Sequence, residues 1–171
     1  MTQCIASPLS RKNIRDMAYF IRKIAGQEKD LYFNIVGFLD VKLPKIDPGF
    51  VLIVEDEEEL GECHGLTYPD RNEIHIRSDV YERAYNGSGR DRLTMAHELF
   101  HLLQHEKTNI SYARLPDGAK IKMFQDPEWQ ATVFGGELLV PWYLTRGMTA
   151  QEIAERCGVS IAAANSQIRH R

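Results

Sequence analysis

Two histidines one helical turn apart constrain this chain more than any other feature. Residues 97–101 read His-Glu-Leu-Phe-His, so His97 and His101 lie on one face of a helix and both imidazoles can reach one metal ion. Glu98, next to the first histidine, can accept a proton from an attacking water. The flanking residues are largely apolar, which predicts a buried helix in which unpartnered imidazoles would be costly. The pattern therefore favours a metal site over histidines that only pack or form hydrogen bonds.

A catalytic zinc site needs a third protein ligand, and two later glutamates compete for that position. Glu128 and Glu137 are nine residues apart (137 − 128), which places them about half a turn out of phase at ~100° per residue. Ala131, Thr132 and Gly135 share the side of Glu128, and a face of small residues allows close approach to the histidine helix. We therefore predict Glu128 as the third ligand and keep Glu137 as the weaker alternative. Taken alone, Glu128 would also suit a first-turn residue that stabilises the helix dipole.

Further polar residues are candidates for supporting roles around the metal. His105 lies one turn beyond the second histidine and suits either a second layer around the metal or an ordinary surface position. Tyr112 falls in the stretch 108–125, predicted as a loop that covers the site, and is a second candidate, with Arg114 beside it. His64 lies in a predicted strand and is expected to be an ordinary strand residue, although it could approach the metal.

The order of predicted elements indicates one α+β domain over residues 1–171, with a small antiparallel sheet and a helical metal site. A hairpin is predicted around Pro69-Asp70-Arg71-Asn72, between strands at 63–68 and 73–77, and another strand at 50–54. Residues 42–49 are predicted as a loop. The predicted helices cover about 13–26, 30–39, 79–85, 88–105, 126–140 and a pair within 149–171 that breaks at Gly158.

Composition excludes several classes of protein. No apolar run is long enough to span a bilayer, and the first residues contain no signal-peptide core, so we expect a cytoplasmic protein with no membrane partner. Three cysteines at wide spacing do not form a disulfide framework. The formal net charge of −3 lacks the basic balance of a typical nucleic-acid-binding domain.

The C-terminal stretch supports a rival interpretation. Residues 149–164 resemble a helix-turn-helix core, which would suit a DNA- or partner-binding regulator whose metal is structural or sensory. Residues 149–171 contain three Lys/Arg against two acids, fewer cations than phosphate binding normally uses. We therefore expect the pair to be an integral part of the domain. A third alternative is a toxin- or antitoxin-like protein that acts by binding alone.

Two linked motifs carry a resemblance to the ImmA/IrrE family of metallopeptidases. Residues 91–103 resemble the signature of that family, and Glu128-Trp129-Gln130-Ala131 is similar to its glutamate-containing helix. The sequence Gly-Glu-Leu-Leu-Val-Pro at 136–141 resembles the characteristic end of that helix, and the spacing between His101 and Glu128 (128 − 101 = 27) is also similar. Phe100 departs from the glycine that members commonly have.

The resemblance implies a zincin-like core with a gluzincin-type site. Its ligands would be His97, His101 and Glu128, and its general base would be Glu98. Zinc is the expected ion, although manganese also suits this ligand set. The resemblance further implies an endopeptidase that acts on a protein partner, such as a helix-turn-helix repressor or antitoxin-like regulator of a mobile element or stress response.

Overall fold

The computed structural model describes residues 2–104, 110–114 and 120–170, with the backbone alone at 2, 3 and 112–114. The strands are β1 (Thr2–Ala6), β2 (Val51–Glu55), β3 (Gly65–Tyr68), β4 (Glu73–Arg77) and β5 (Ile110–Arg114). The helices are α1 (Arg11–Ala25), α2 (Ile35–Gly37), α3 (Leu43–Ile46), α4 (Glu57–Leu60), α5 (Ser78–Tyr85), α6 (Gly89–Gln104), α7 (Pro127–Leu139), α8 (Ala150–Cys157) and α9 (Ile161–Arg169). This arrangement confirms the predicted α+β class.

Three strands form the sheet that faces the histidine helix. Its order is β2-β4-β3, with β3 antiparallel and β2 parallel to the central strand β4. The predicted hairpin is confirmed, whereas the parallel pair makes the sheet mixed. Ile74 and Ile76 on β4 are fully buried, and both β3 and β4 pack against α6. The sheet therefore places β3, one of its two edge strands, beside the helix that carries the two histidines.

A second, two-stranded sheet was not predicted. β1 pairs antiparallel with β5, so that Cys4 lies opposite Tyr112. The expectation that residues 108–125 form a covering loop is therefore wrong for 110–114. Two strands that are about a hundred residues apart in the chain leave no local sequence pattern that predicts their pairing.

Local signals set the bounds of α1. Ser10 and Asn13 form a reciprocal capping box, and Gly26 ends the helix with a φ of 70°. The buried face of α1 packs against α7. The first helix thereby supports the rear of the helix that carries Glu128.

The helix predicted for residues 30–39 is confirmed for 35–39 and wrong for 30–34, and part of the loop predicted after it is wrong, because residues 43–46 are helical. Helix α2 begins only at Ile35, because the Asn34 side chain accepts a hydrogen bond from the Gly37 N–H at 3.0 Å. One wide helical turn at Phe38–Lys42 follows and leads directly into α3. Pro44 is tolerated there because it lies in the first turn of a helix, where its missing N–H is not needed.

Two fully buried arginines explain why residues 27–34 do not become helical. Arg92 on α6 donates to Phe33 O at 2.7 Å and to Cys157 O at 2.9 Å, and it also bonds to Gly158 O. Arg22 on α1 donates to the carbonyls of Leu138 and Asp30. Burial lowers the pKa of both guanidinium groups. The arginines thus hold this loop and the C-terminal helices against the core through backbone carbonyls.

Replacing Arg92 by alanine is expected to lower the free energy of unfolding by about 3 kcal/mol, since buried carbonyls lose their donor. Chemical denaturation would measure the change. Arg90, exposed and two residues earlier on the same helix, provides the matched control. Its replacement by alanine should alter stability by less than about 0.5 kcal/mol. Equal effects of the two substitutions would show that the buried bonds do not support the fold.

The C-terminal helices α8 and α9 form the predicted pair. Thr149 and Glu152 make a capping box, and Gly158 provides the left-handed turn between the helices with a φ of 65°. Helix α9 packs so closely on α7 that a methyl group at Gly136 would collide with the Gln167 side chain. Within the described part of the chain, no helix has the length and apolar character needed to cross a membrane.

Candidate metal centre

Helix α6 carries three of the predicted site residues in one turn. Its other faces are occupied by buried apolar side chains such as Met95, Leu99 and Phe100, which fix the rotation of the helix. His97 and His101 are partly buried, with side chains 23% and 17% exposed. Both imidazoles consequently lie at the border between core and solvent, where an ion and a substrate can both reach them.

Helix α7 brings Glu128 to the same point. Asp126 caps the helix by accepting from the N–H groups of Glu128 and Trp129, and Pro127 occupies the first turn. Helices α6 and α7 pack against each other as predicted, and the small residue Gly135 lies against Leu93 and Ala96, where even a methyl group would be in ordinary contact. The glutamate therefore reaches the histidines from the start of a helix that is firmly packed along α6.

The three side chains converge on one point. The Nε2 atoms of His97 and His101 are 2.9 Å apart, and Glu128 oxygens lie 3.1 Å and 3.4 Å from His97 Nε2 and His101 Nε2. Ligands held ~2.0–2.1 Å from a tetrahedral zinc ion lie ~3.3 Å from one another, so the observed spacing fits such an ion. Two nitrogens and one carboxylate oxygen also match the donors that zinc prefers, and the group could hold a metal ion.

Glu137 faces α1 and forms a buried ion pair there. Its side chain is 1% exposed and accepts hydrogen bonds from Arg11 at 2.9 Å and from Arg15 at 2.9 Å and 3.1 Å. These ion pairs join α7 to α1. The two glutamates thus face opposite sides of α7: Glu128 lies beside the histidines, and Glu137 lies in a buried ion pair.

Glu98 points away from solvent, toward the three-stranded sheet. It is 9% exposed, and its Oε2 accepts a hydrogen bond from Thr67 Oγ1 at 2.7 Å. Burial raises the pKa of Glu98 above its ordinary value, while the Thr67 bond and the neighbouring His97 oppose that rise. A carboxylate whose pKa is raised accepts and returns a proton more readily than an ordinary surface carboxylate.

Two residues of β3 form this side of the site, and neither was predicted. Thr67 contacts Glu98 through its hydroxyl, and Gly65 lies so near that a methyl group there would be 2.8 Å from Glu98 Cγ. A glycine inside a predicted strand is itself a signal of close approach by another group. The sequence contained that signal, but which group approaches it depends on tertiary packing.

Replacing Gly65 by alanine is expected to displace Glu98 or the β3 backbone and to lower the free energy of unfolding by about 1–3 kcal/mol, because the added methyl group has no space. Thermal denaturation would measure the loss. Gly49→Ala is the control, since a methyl group there meets its neighbours at 3.4 Å and 3.5 Å. An alanine at 65 that is tolerated as well as the one at 49 would contradict the proposed close packing.

Two clefts meet at this centre. One, of about 440 Å³, extends past His97 toward Glu62 and Arg90, and the other, of about 400 Å³, extends past His101 toward Pro69 and Ile110. Gly65, His97 and Glu98 line both clefts. The two clefts therefore share a wall made by β3 and the histidine helix.

The remaining predicted residues have different outcomes. His64 lines the first cleft but is not in the converging group of three. Tyr112 and Arg114 belong to β5, and their side chains, like all of His105, lie outside the described residues. No role of these three residues near the metal is tested by the structure.

The chain is similar to proteins already known. The model of the peptidase family described as the IrrE N-terminal-like domain matches residues 58–169. No curated protein matches. Among solved structures, a Mycobacterium tuberculosis transcriptional regulator has the same fold, with a TM-score of 0.58 and 12% identity. The match covers 94% of this chain and 52% of that chain, so this chain spans about half the length of the regulator.

Proposed function

Because the chain belongs to the ImmA/IrrE family of metallopeptidases, we propose that it is a zinc-dependent endopeptidase. The observation that carries this proposal is the convergence of His97, His101 and Glu128 beside the buried carboxylate of Glu98. Two imidazoles and one carboxylate leave a fourth position open in a tetrahedral zinc site, as catalytic sites require. A structural site would normally be closed by a fourth protein ligand.

In this proposal the ion is held by the two α6 histidines and by Glu128 of α7. A zinc ion held there would act as a Lewis acid and would lower the pKa of water to roughly 7. Manganese suits the same donors. Glu128 is 69% exposed, so the ion would lie at the cleft surface within reach of a substrate.

Glu98 is the proposed general base. Its carboxylate takes a proton from the attacking water and then donates that proton to the leaving amine. The partly apolar surroundings of α6 exclude bulk water from the carboxylate, which is 9% exposed. The same burial that raises its pKa lets it hold the proton between the two steps.

The substrate is proposed to bind as an extended strand along the outer edge of β3. Among the described residues that strand pairs with β4 on one side only, and its residues line both clefts at the metal centre. Backbone hydrogen bonds to an edge strand bind peptides of varied sequence. A complex with the peptide bound elsewhere would contradict this proposal.

The proposed substrate is a helix-turn-helix repressor or an antitoxin-like regulator in the cytoplasm, as the family resemblance implies. The test starts from a peptide library digested with the zinc-loaded protein, with cleavage sites identified by mass spectrometry. Purified regulators that contain the preferred sequence would then be incubated with the enzyme. Cleavage of a regulator in an accessible segment supports the proposal. If peptides are cut but no regulator is cut, the proposed substrate is wrong and only a general peptidase activity remains.

The rival function is a regulator that binds DNA through α8 and α9. The exposed face of α9 carries Ile161, Ala162 and Asn165, with Arg169 near its end. Uncharged residues dominate this face, which disfavours phosphate contact. We propose instead that the pair is structural, because Arg92 and the Gly136–Gln167 contact fix it to α6 and α7.

A further inference from the structure

The carboxylate of Glu98 is bonded to a residue of the edge strand. Thr67 Oγ1 donates to Glu98 Oε2 at 2.7 Å, and the same hydroxyl lies 3.1 Å from the Glu98 carbonyl oxygen. Thr67 comes 31 residues earlier in the chain, so this contact depends on the packing of β3 against α6 and not on the helix itself. One strand residue therefore contacts both the side chain and the backbone of Glu98.

The register of the sheet places Thr67 in this position. Thr67 lies opposite Ile74, and Gly65 lies opposite Ile76. Residues directly opposite in an antiparallel pair project from the same face. Since both isoleucines are fully buried, that face is the one that covers α6. Gly65 lets the strand approach closely enough for the hydroxyl of Thr67 to reach the carboxylate.

A glutamate that transfers protons benefits from such an anchor. Its side chain has several rotatable bonds, and an unrestrained carboxylate would lose conformational freedom at each turnover. A bond to Oε2 leaves Oε1 as the oxygen for proton exchange. The bonded oxygen is held by β3, the strand along which the substrate is proposed to lie. The same strand would therefore fix the positions of both the base and the substrate.

We propose that Thr67 is the positioning residue for Glu98, and that its hydroxyl fixes the carboxylate relative to a peptide bound along β3. The inference rests on the proposed peptidase function, because it concerns the geometry of the general base. It concerns a residue that acts through Glu98 and does not itself contact the reacting atoms.

The test compares Thr67→Val, which removes the hydroxyl and keeps the shape, with Thr67→Ser, which keeps the hydroxyl. The zinc-loaded full chain would be assayed on a quenched fluorogenic peptide pool of randomised sequence. We expect Thr67→Val to lower the apparent kcat by about 10- to 100-fold, as for loss of a hydrogen bond to a charged group, with little change in the apparent KM. Thr67→Ser should recover most of the rate. Equal kcat values for both variants and the parent would overturn the inference while leaving the peptidase function intact.

A second measurement does not depend on turnover. The free energy of unfolding would be determined for the zinc-loaded parent, Thr67→Val, Glu98→Ala and the double variant. We expect the two effects to be non-additive, because removing either partner abolishes the same hydrogen bond. Additive effects would overturn the inference. A parent that hydrolyses no peptide in the pool while binding zinc would overturn the proposed function, and the positioning role with it.

Discussion

Replacing Glu98 by glutamine is expected to lower kcat for peptide hydrolysis by about 10²- to 10⁴-fold, the range typical of losing a general base. The amide keeps the size of the side chain and can still accept a hydrogen bond from Thr67, which lies 2.7 Å from Oε2. What it loses is the capacity to take and return a proton. About one zinc ion per chain should remain bound, because His97, His101 and Glu128 are unchanged.

Turnover on the peptide pool and zinc content by elemental mass spectrometry would be measured on the same preparations. Glu82→Gln is the control, since Glu82 is an exposed residue on α5. Retention of the parental rate by Glu98→Gln would rule out the role of general base. Loss of zinc together with activity would instead indicate that Glu98 is a ligand.

The second large effect separates the two glutamates of α7. Glu128→Ala should abolish stoichiometric zinc binding but cost little in the zinc-free protein, because the side chain is 69% exposed and Asp126 still caps the helix. Zinc at about 1,000 times its Kd stabilises a protein by roughly 4 kcal/mol, and the variant should lose this gain. Thermal denaturation with and without zinc would measure it.

Glu137→Ala is expected to have the opposite effects. It leaves Arg11 and Arg15 without the carboxylate that both contact at 2.9 Å, which should destabilise the fold by about 3 kcal/mol. Zinc content should be unchanged, since the residue does not contact the histidines. If Glu137→Ala lost zinc and kept its stability, Glu137 and not Glu128 would be the metal ligand.

Periodicity and spacing were sufficient where the determining forces are local. The helix predicted for residues 126–140 is confirmed as α7, because the Asp126 cap that starts it depends only on residues two and three positions away. The same holds for the hairpin turn at 69–72. Local signals failed at residues 30–34, where buried arginines from the preceding helix α1 and from the distant helix α6 take the backbone carbonyls.

The sequence by itself determined which side chains can meet on α6 and on which side of α7 a partner must lie. A helix of 3.6 residues per turn places His97 and His101 together and separates Glu128 from Glu137, whatever surrounds them. Only the tertiary structure decided that β3 supplies Gly65 and Thr67 to the carboxylate of Glu98. Strand register and helix–sheet packing bring together residues distant in sequence, and no short-range period in the chain specifies which of them will touch.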